Sequence, residues 1–146
     1  MTEDDIDAVH QIDVLSFSLP WPRGAYSFDL LRNPAAHLWV AEQPGPGGES
    51  LIVGVLALWL IVDEVHISNL AVHPDHRRQG VAQRLLQTAI GFGQDHDVES
   101  ITLEVRESNQ PAQELYESLG FKTVGRRVAY YQDNREDALL MTRSMV

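Results

Sequence analysis

Two arginines, a glutamine and a glycine, Arg77-Arg78-Gln79-Gly80, stand directly before an amphipathic stretch that opens with Val81-Ala82. A helix starting behind them offers unpaired backbone N–H groups and the positive end of its dipole to an anion. Gly80 lets such a group approach the backbone, and the guanidinium groups add charge-assisted donors. Residues 77–82 can therefore wrap a pyrophosphate, although an ordinary helix start uses a glycine in the same way. Three histidines lie near this loop: His66 in the stretch before it, and His73 and His76 flanking Pro74. An imidazole's ordinary pKa of about 6.5 suits proton transfer at neutral pH, and His66, on a polar strand face, is the best placed of the three. His73 and His76 fit better beside phosphate or in solvent. The chain has no cysteine, which closes thiol nucleophile chemistry and zinc–thiolate sites. No histidine pair stands at i, i+4 with carboxylates, so no metal is expected.

These residues need elements to hold them. Thr2-Glu3-Asp4-Asp5 before Ile6, Val9, Ile12 and Asp13 has the form of a capped helix over residues 3–16. Pro20-Trp21-Pro22 stops it, and a short helix over 26–32 ends at Asn33-Pro34. A strand over 37–42, a glycine- and proline-rich turn over 43–49, and a continuous apolar strand over 51–62 follow. After the Asp63-Glu64 turn, Val65, Ile67, Asn69 and Ala71 share one face of the next strand, and His66, Ser68, Leu70 and Val72 share the other. Neither face is wholly apolar, which predicts a polar visitor along this strand. Val81, Ala82, Leu85, Leu86, Ala89 and Ile90 make a helical stripe. The strand over 98–106 alternates, with Thr102, Glu104 and Arg106 on its polar face. Strand, helix, strand in that order implies a right-handed crossover between parallel neighbours. A helix capped by Ser108 or Asn109, with Pro111 in its first turn, carries the stripe Ala112, Leu115, Tyr116 and Leu119 and ends at Gly120. Two strands, over 121–131 and 138–145, close the sheet.

At 146 residues the chain suits one domain, residues 1–146, with no internal repeat. No apolar run reaches the roughly 20 residues that span a bilayer, and the acidic start is unlike a signal peptide, so a cytoplasmic location is expected. The net charge of −10 disfavours nucleic acid and favours a basic partner, unless it serves solubility alone.

Arg77-x-x-Gly80-x-Ala82, entered from Leu70-Ala71-Val72-His73-Pro74, resembles the acyl-CoA-binding signature of the GNAT superfamily of N-acetyltransferases. The resemblance continues through Leu103-Glu104-Val105-Arg106, Ser108-Asn109, Leu115-Tyr116, Leu119-Gly120-Phe121, Tyr130-Tyr131 and Glu136-Asp137-Ala138, which are similar to the RimI-type subgroup. Phe17-Ser18-Leu19-Pro20-Trp21-Pro22 is similar to that subgroup's N-terminal Pro-Trp segment. One departure is visible: the superfamily opens with a strand before its first helix, whereas this sequence opens almost at the helix. A shortened edge or an upstream start would each account for that.

The resemblance implies an α/β (α+β mixed sheet) GNAT fold. Its central twisted mixed sheet would have about six or seven strands, helices on both faces, and strands splayed where acetyl-CoA lies. It implies acetyl transfer to the N-terminal alanine of a small-subunit ribosomal protein, by direct amine attack in a ternary complex. Leu70, Ala71 and Val72 would pair with the pantetheine arm, residues Arg77, Arg78, Gln79, Gly80, Val81 and Ala82 would hold the pyrophosphate, and Asn109 would touch the cofactor. Glu104 would be the general base, needing burial or a relaying water to reach a useful pKa, and Tyr116 the general acid. Asn69, Trp21, Tyr130 and Tyr131 would receive the acceptor. Each has a plainer alternative: an ion pair to Arg106 or another arginine for Glu104, core packing for Tyr116, a helix cap for Asn109, and loop-on-hairpin packing for the aromatics. The resemblance further implies a basic protein tail as partner, no direct nucleic acid, no membrane, and a monomer or weak dimer. A small amine or lysine acceptor, or a non-catalytic acyl-CoA-binding module, are the competing functions.

Overall fold

The computed structural model describes Met1–Val146. Its elements are a 3₁₀ turn (Glu3–Asp5), α1 (Ile6–Ser16), α2 (Arg23–Arg32), β1 (Ala36–Pro44), β2 (Ser50–Ile61), β3 (Glu64–Val72), a second 3₁₀ turn (Pro74–His76), α3 (Val81–Asp95), β4 (Ser100–Arg106), α4 (Gln110–Ser118), β5 (Lys122–Arg127) and β6 (Ala138–Ser144). The six strands form an open mixed sheet in the order β1-β2-β3-β4-β6-β5, with β3 and β4 parallel and the β1/β2, β4/β6 and β5/β6 pairs antiparallel. The chain makes two compact units, Met1–Trp59 with Ser68–Ala89, and Leu60–Ile67 with Ile90–Val146. No helix is long and apolar enough to cross a membrane.

In the first unit, Thr2 N donates to the Asp5 carboxylate at 2.8 Å, the reciprocal contact of a capping box, and α1 follows. Val9 and Ile12 on α1, Tyr26 on α2, Val55 on β2 and Ala71 on β3 make the buried core, with Trp21, Leu38 and Val40 packed against it. Replacing such a residue as Ile12 with alanine would cost about 2–5 kcal/mol. Helix α2 begins at Arg23, directly after the extended Pro22, three residues before the periodicity predicts. Gly24 and Ala25 contribute no apolar signal, and the proline rather than the stripe sets the boundary. Gly54 on β2 serves close packing: a Cβ there would lie 3.1 Å from both Val81 and Leu85 side chains and 3.3 Å from the Ala71 carbonyl.

The second unit is built on β4, whose Ile101, Leu103 and Val105 are buried. The β3 residues Glu64, Val65 and His66 pair with Ser100, Ile101 and Thr102, and the parallel ladder stops there. Across the other edge β4 pairs with β6 along its whole length, from Ser100 with Ser144 to Arg106 with Ala138. The predicted strand over 121–131 is too long, because β5 ends at Arg127. Ala129 adopts φ 51°, outside the strand region, and its N–H donates to Asp137 Oδ1 at 2.8 Å. The β-branched and aromatic composition of 128–131 signals strand, but the anchored turn prevails.

Candidate active site

The loop from β3 into α3 is a fixed shape. His73 N donates to the Val53 carbonyl at 2.8 Å, and the His73 ring accepts from Asp75 N at 3.1 Å, starting the 3₁₀ turn. Arg77 Nε donates to the Val72 carbonyl (3.1 Å) and Nη2 to Ser16 Oγ (3.2 Å). Arg77 is thus a strut between the end of β3 and the end of α1, a role that spacing alone did not reveal. Gln79 accepts from the Gln43 amide at 3.3 Å. Arg78 and Gly80 both have positive φ, 62° and 80°. Nothing lies within 4 Å of a Cβ built on Gly80, so the glycine is required by conformation, and the space beside it is open. That space lies at the first N–H groups of α3, where Val81 and Ala82 follow, an end of the helix that attracts anions.

Leu70 is half-buried on β3, while Ala71 and Val72 are buried. Asn69 is only 8% exposed, and its amide donates to Asp13 Oδ1 at 3.0 Å and to the Tyr26 hydroxyl. Tyr26 donates to Asp13 Oδ2 at 2.7 Å, and Trp21 N donates to the same oxygen at 3.3 Å. Burial raises the Asp13 carboxyl above its ordinary range against the pull of these donors. The Trp21 ring lies 5.1 Å from the Tyr26 ring. Asn69 and Trp21, expected at the acceptor, are therefore both fastened to one buried carboxylate within the first unit.

In the second unit, Glu104 Oε2 lies 2.7 Å from His66 Nε2, and Arg127 Nε lies 3.3 Å from Glu104 Oε1. The His66 hydrogen bond, and then the charges of His66 and Arg127, hold the Glu104 carboxyl below its ordinary range despite burial. Of the two routes expected for Glu104, burial or a relaying water, burial does not raise its carboxyl here. Being ionised, Glu104 only accepts, so His66 Nε2 is the donor in this contact. Arg106, the natural ion-pair partner from sequence, turns instead to Asp133, with Nη2 at 2.8 Å from Oδ2. Arg127 takes the place beside Glu104, and no pattern in the sequence marked it.

Tyr116 is half-buried with its ring 6.0 Å from that of Phe121, and burial pushes its phenol up to about 12. It is a persistent hydrogen-bond donor and a weak proton source. Asn109 caps α4, its side-chain oxygen accepting from Ala112 N at 3.2 Å, so the cap that sequence offered as alternative is present. Tyr130 and Tyr131 stand edge to face at 5.1 Å. The Arg106 guanidinium lies 4.0 Å from the Tyr131 ring, and that of Arg127 lies 5.9 Å from the Tyr130 ring. The structure thus gathers Glu104 with His66 and Arg127, and the tyrosine pair with two arginines.

Comparison with known proteins places the chain among relatives. A Bacillus subtilis (strain 168) protein, provisionally named a ribosomal protein bS18-alanine N-acetyltransferase, is 38% identical over 97% of this chain and 90% of its own. The ribosomal protein bS18-alanine N-acetyltransferase of Escherichia coli (strain K12) is 32% identical over 94% of this chain and 89% of its own. The crystal structure of the Escherichia coli ribosomal-protein-S18-alanine N-acetyltransferase superposes with a TM-score of 0.86 at 30% identity, covering 99% of this chain and 90% of that one. The acetyltransferase (GNAT) family profile matches residues 6–121. With this match, its RimI-type relatives and its mixed sheet, the chain belongs to the acetyltransferase (GNAT) family.

Proposed function

We propose that this chain transfers acetyl from acetyl-CoA to the α-amino group of the N-terminal alanine of ribosomal protein bS18. The full-length similarity to enzymes named for that reaction supports the acceptor. The observation that carries the chemistry is the ionised Glu104 carboxylate 2.7 Å from His66.

Acetyl-CoA supplies the thioester. Its pyrophosphate is assigned to the first amides of α3 beside Gly80, with Arg78 as the nearby cation, and its pantetheine arm to Leu70, Ala71 and Val72. The incoming amine, with an ordinary pKa of about 8, must lose its proton before attacking the acetyl carbon. An imidazole is a better-matched acceptor than a carboxylate held low, so His66 is assigned the proton, with Glu104 hydrogen-bonded to it at 2.7 Å. Tyr116 donates a hydrogen bond to the departing sulfur. Its phenol is too weak an acid to be consumed outright, so the thiolate leaves stabilised and takes the second proton, which the attacking nitrogen sheds as the amide forms. Tyr130 and Tyr131 flank the acceptor's first residues, and the net charge of −10 steers a basic tail to them.

Incubation with acetyl-CoA and a panel of acceptors tests the assignment by mass spectrometry. The panel holds an alanine-starting basic peptide, its N-blocked form and small polyamines. Acetyl on the free α-amine of the first peptide is expected. Preferred modification of a polyamine would reassign the acceptor, and cofactor binding without any turnover would leave a binding module.

A further inference from the structure

Residues 128–137 join β5 to β6 without regular structure, yet they carry Tyr130 and Tyr131. One side chain outside the loop reaches most of it. Arg106, two residues beyond Glu104 on β4, sends Nη1 and Nη2 to the two carboxylate oxygens of Asp133 at 3.1 and 2.8 Å. Nη1 also lies 3.2 Å from Asn134 Oδ1 and 3.4 Å from Glu136 Oε1, and the guanidinium carbon sits 4.0 Å from the Tyr131 ring centre. Exposed ion pairs contribute little, but these side chains are largely covered, at 27% for Arg106, 19% for Asp133 and 15% for Glu136. The arginine is itself anchored. Gln113, buried on α4, donates to the Arg106 and Glu107 carbonyls at 3.0 and 2.8 Å, and Glu136 accepts from Ser108 N at 2.6 Å.

The neighbouring Arg126 gives a contrast. It pairs with Glu107 and Asp137 at 2.9 Å each, and its side chain is 44% exposed. Arg126 staples the base of the loop, whereas Arg106 meets its aromatic tip. A bidentate fork together with a planar stack is something guanidinium provides and ammonium does not.

We infer that Arg106 is a specificity-determining positioning residue, whose guanidinium holds the Tyr130–Tyr131 corner in the orientation that receives the first residues of a peptide acceptor. The inference rests on the acceptor assignment made above. Arg106 touches no reacting atom, so its loss acts on acceptor binding and leaves the transfer step intact.

The test separates KM from kcat. In Arg106→Met the KM for the alanine-starting peptide should rise about tenfold while kcat and the KM for acetyl-CoA stay within about twofold. Arg106→Lys should remain at least about threefold impaired in peptide KM, because charge alone does not restore the fork or the stack. Asp133→Asn, which keeps Arg106 in place, should move peptide KM in the same direction by about threefold. Full rescue by lysine, or a fall in kcat with KM unchanged, would overturn the assignment. Hydrogen exchange in the absence of acceptor gives a second readout. The Ala129 and Tyr131 amides, which donate to Asp137 Oδ1 and the Glu136 carbonyl, should exchange about tenfold faster in Arg106→Met, with β4 and β6 amides unchanged. Unchanged exchange at those two amides overturns the inference whatever the acceptor proves to be. A wild-type enzyme that ignores the peptide would overturn the acceptor assignment alone.

Discussion

Asp13 and Glu104 are both covered carboxylates held by two polar side chains, and their acidities move in opposite directions. Asp13 has no exposure, and two of its partners, Tyr26 and Asn69, are neutral donors. Desolvation dominates there and raises its carboxyl. The Glu104 side chain keeps 11% exposure and meets an imidazole and a guanidinium. The hydrogen bond from His66 dominates there and lowers it. The first arrangement fastens α1, the Pro-Trp-Pro loop, α2 and β3 around one group. The second keeps a charge available at a partly open position, beside an imidazole and a guanidinium. Similar burial therefore gives opposite acidities, and the partners' charges decide which.

Substitutions at the two sites should break along that line. Glu104→Gln should lower kcat by about 100-fold or more, or at least about 2.7 kcal/mol of barrier, with little change in acetyl-CoA affinity and a loss of about 1–2 kcal/mol in unfolding free energy, since the amide oxygen still accepts from one partner. Steady-state kinetics with a urea titration reads both. Asp13→Asn should show the reverse, losing about 3 kcal/mol of stability because one amide oxygen cannot serve three donors. A kcat loss there as large as at Glu104 would erase the distinction. Tyr116→Phe should cost about tenfold in kcat, about 1.4 kcal/mol, since only a hydrogen bond to the leaving sulfur is lost. Unchanged turnover would return Tyr116 to the core. Gly80→Ala forces a side chain to φ 80° and should destabilise by about 1 kcal/mol while raising the Kd for acetyl-CoA, read by calorimetry. Retained affinity would move the phosphate seat elsewhere.

The pH dependence of stability sharpens the comparison through its sign. Asp13, raised in the folded protein, makes the folded state bind its proton more tightly. Its contribution therefore declines as pH rises from its ordinary value of 3.8 through the folded value. Glu104, lowered, contributes fully above its ordinary value of 4.5 and loses that contribution as pH falls toward the folded value. Urea unfolding of wild type against Asp13→Asn and Glu104→Gln should give differences that slope in opposite directions across this acidic range. Parallel slopes would show that the two sites share one environment.

Much of this was legible beforehand, and what was not has identifiable causes. The period-two alternation of residues 98–106 put Glu104 and Arg106 on one face of β4, and the glycine before Val81 marked the start of α3. Asp13 stood beside the apolar positions Ile6, Val9 and Ile12, but its burial was not legible from that spacing. The partner of Glu104 was not legible, because it depends on the β5/β6 register, and that register shifts between Thr123 and Gly125. Arg127 reaches Glu104 only through that irregularity. The inward turn of Asn69 and the strut made by Arg77 depend on α1, more than 50 residues away in sequence, at Asp13 and Ser16. Local pattern carries elements and faces, while pairings between distant polar groups come from packing.

The central claim is that Glu104, and not Asp13, is the carboxylate of the chemistry. Single-turnover acetyl transfer to the alanine-starting peptide, at saturating acetyl-CoA and peptide and a temperature where both variants are folded, tests it most directly. Asp13→Asn should transfer within about threefold of wild type and Glu104→Gln at least about 100-fold more slowly. Equal losses in the two variants, or a greater loss in Asp13→Asn, would contradict it.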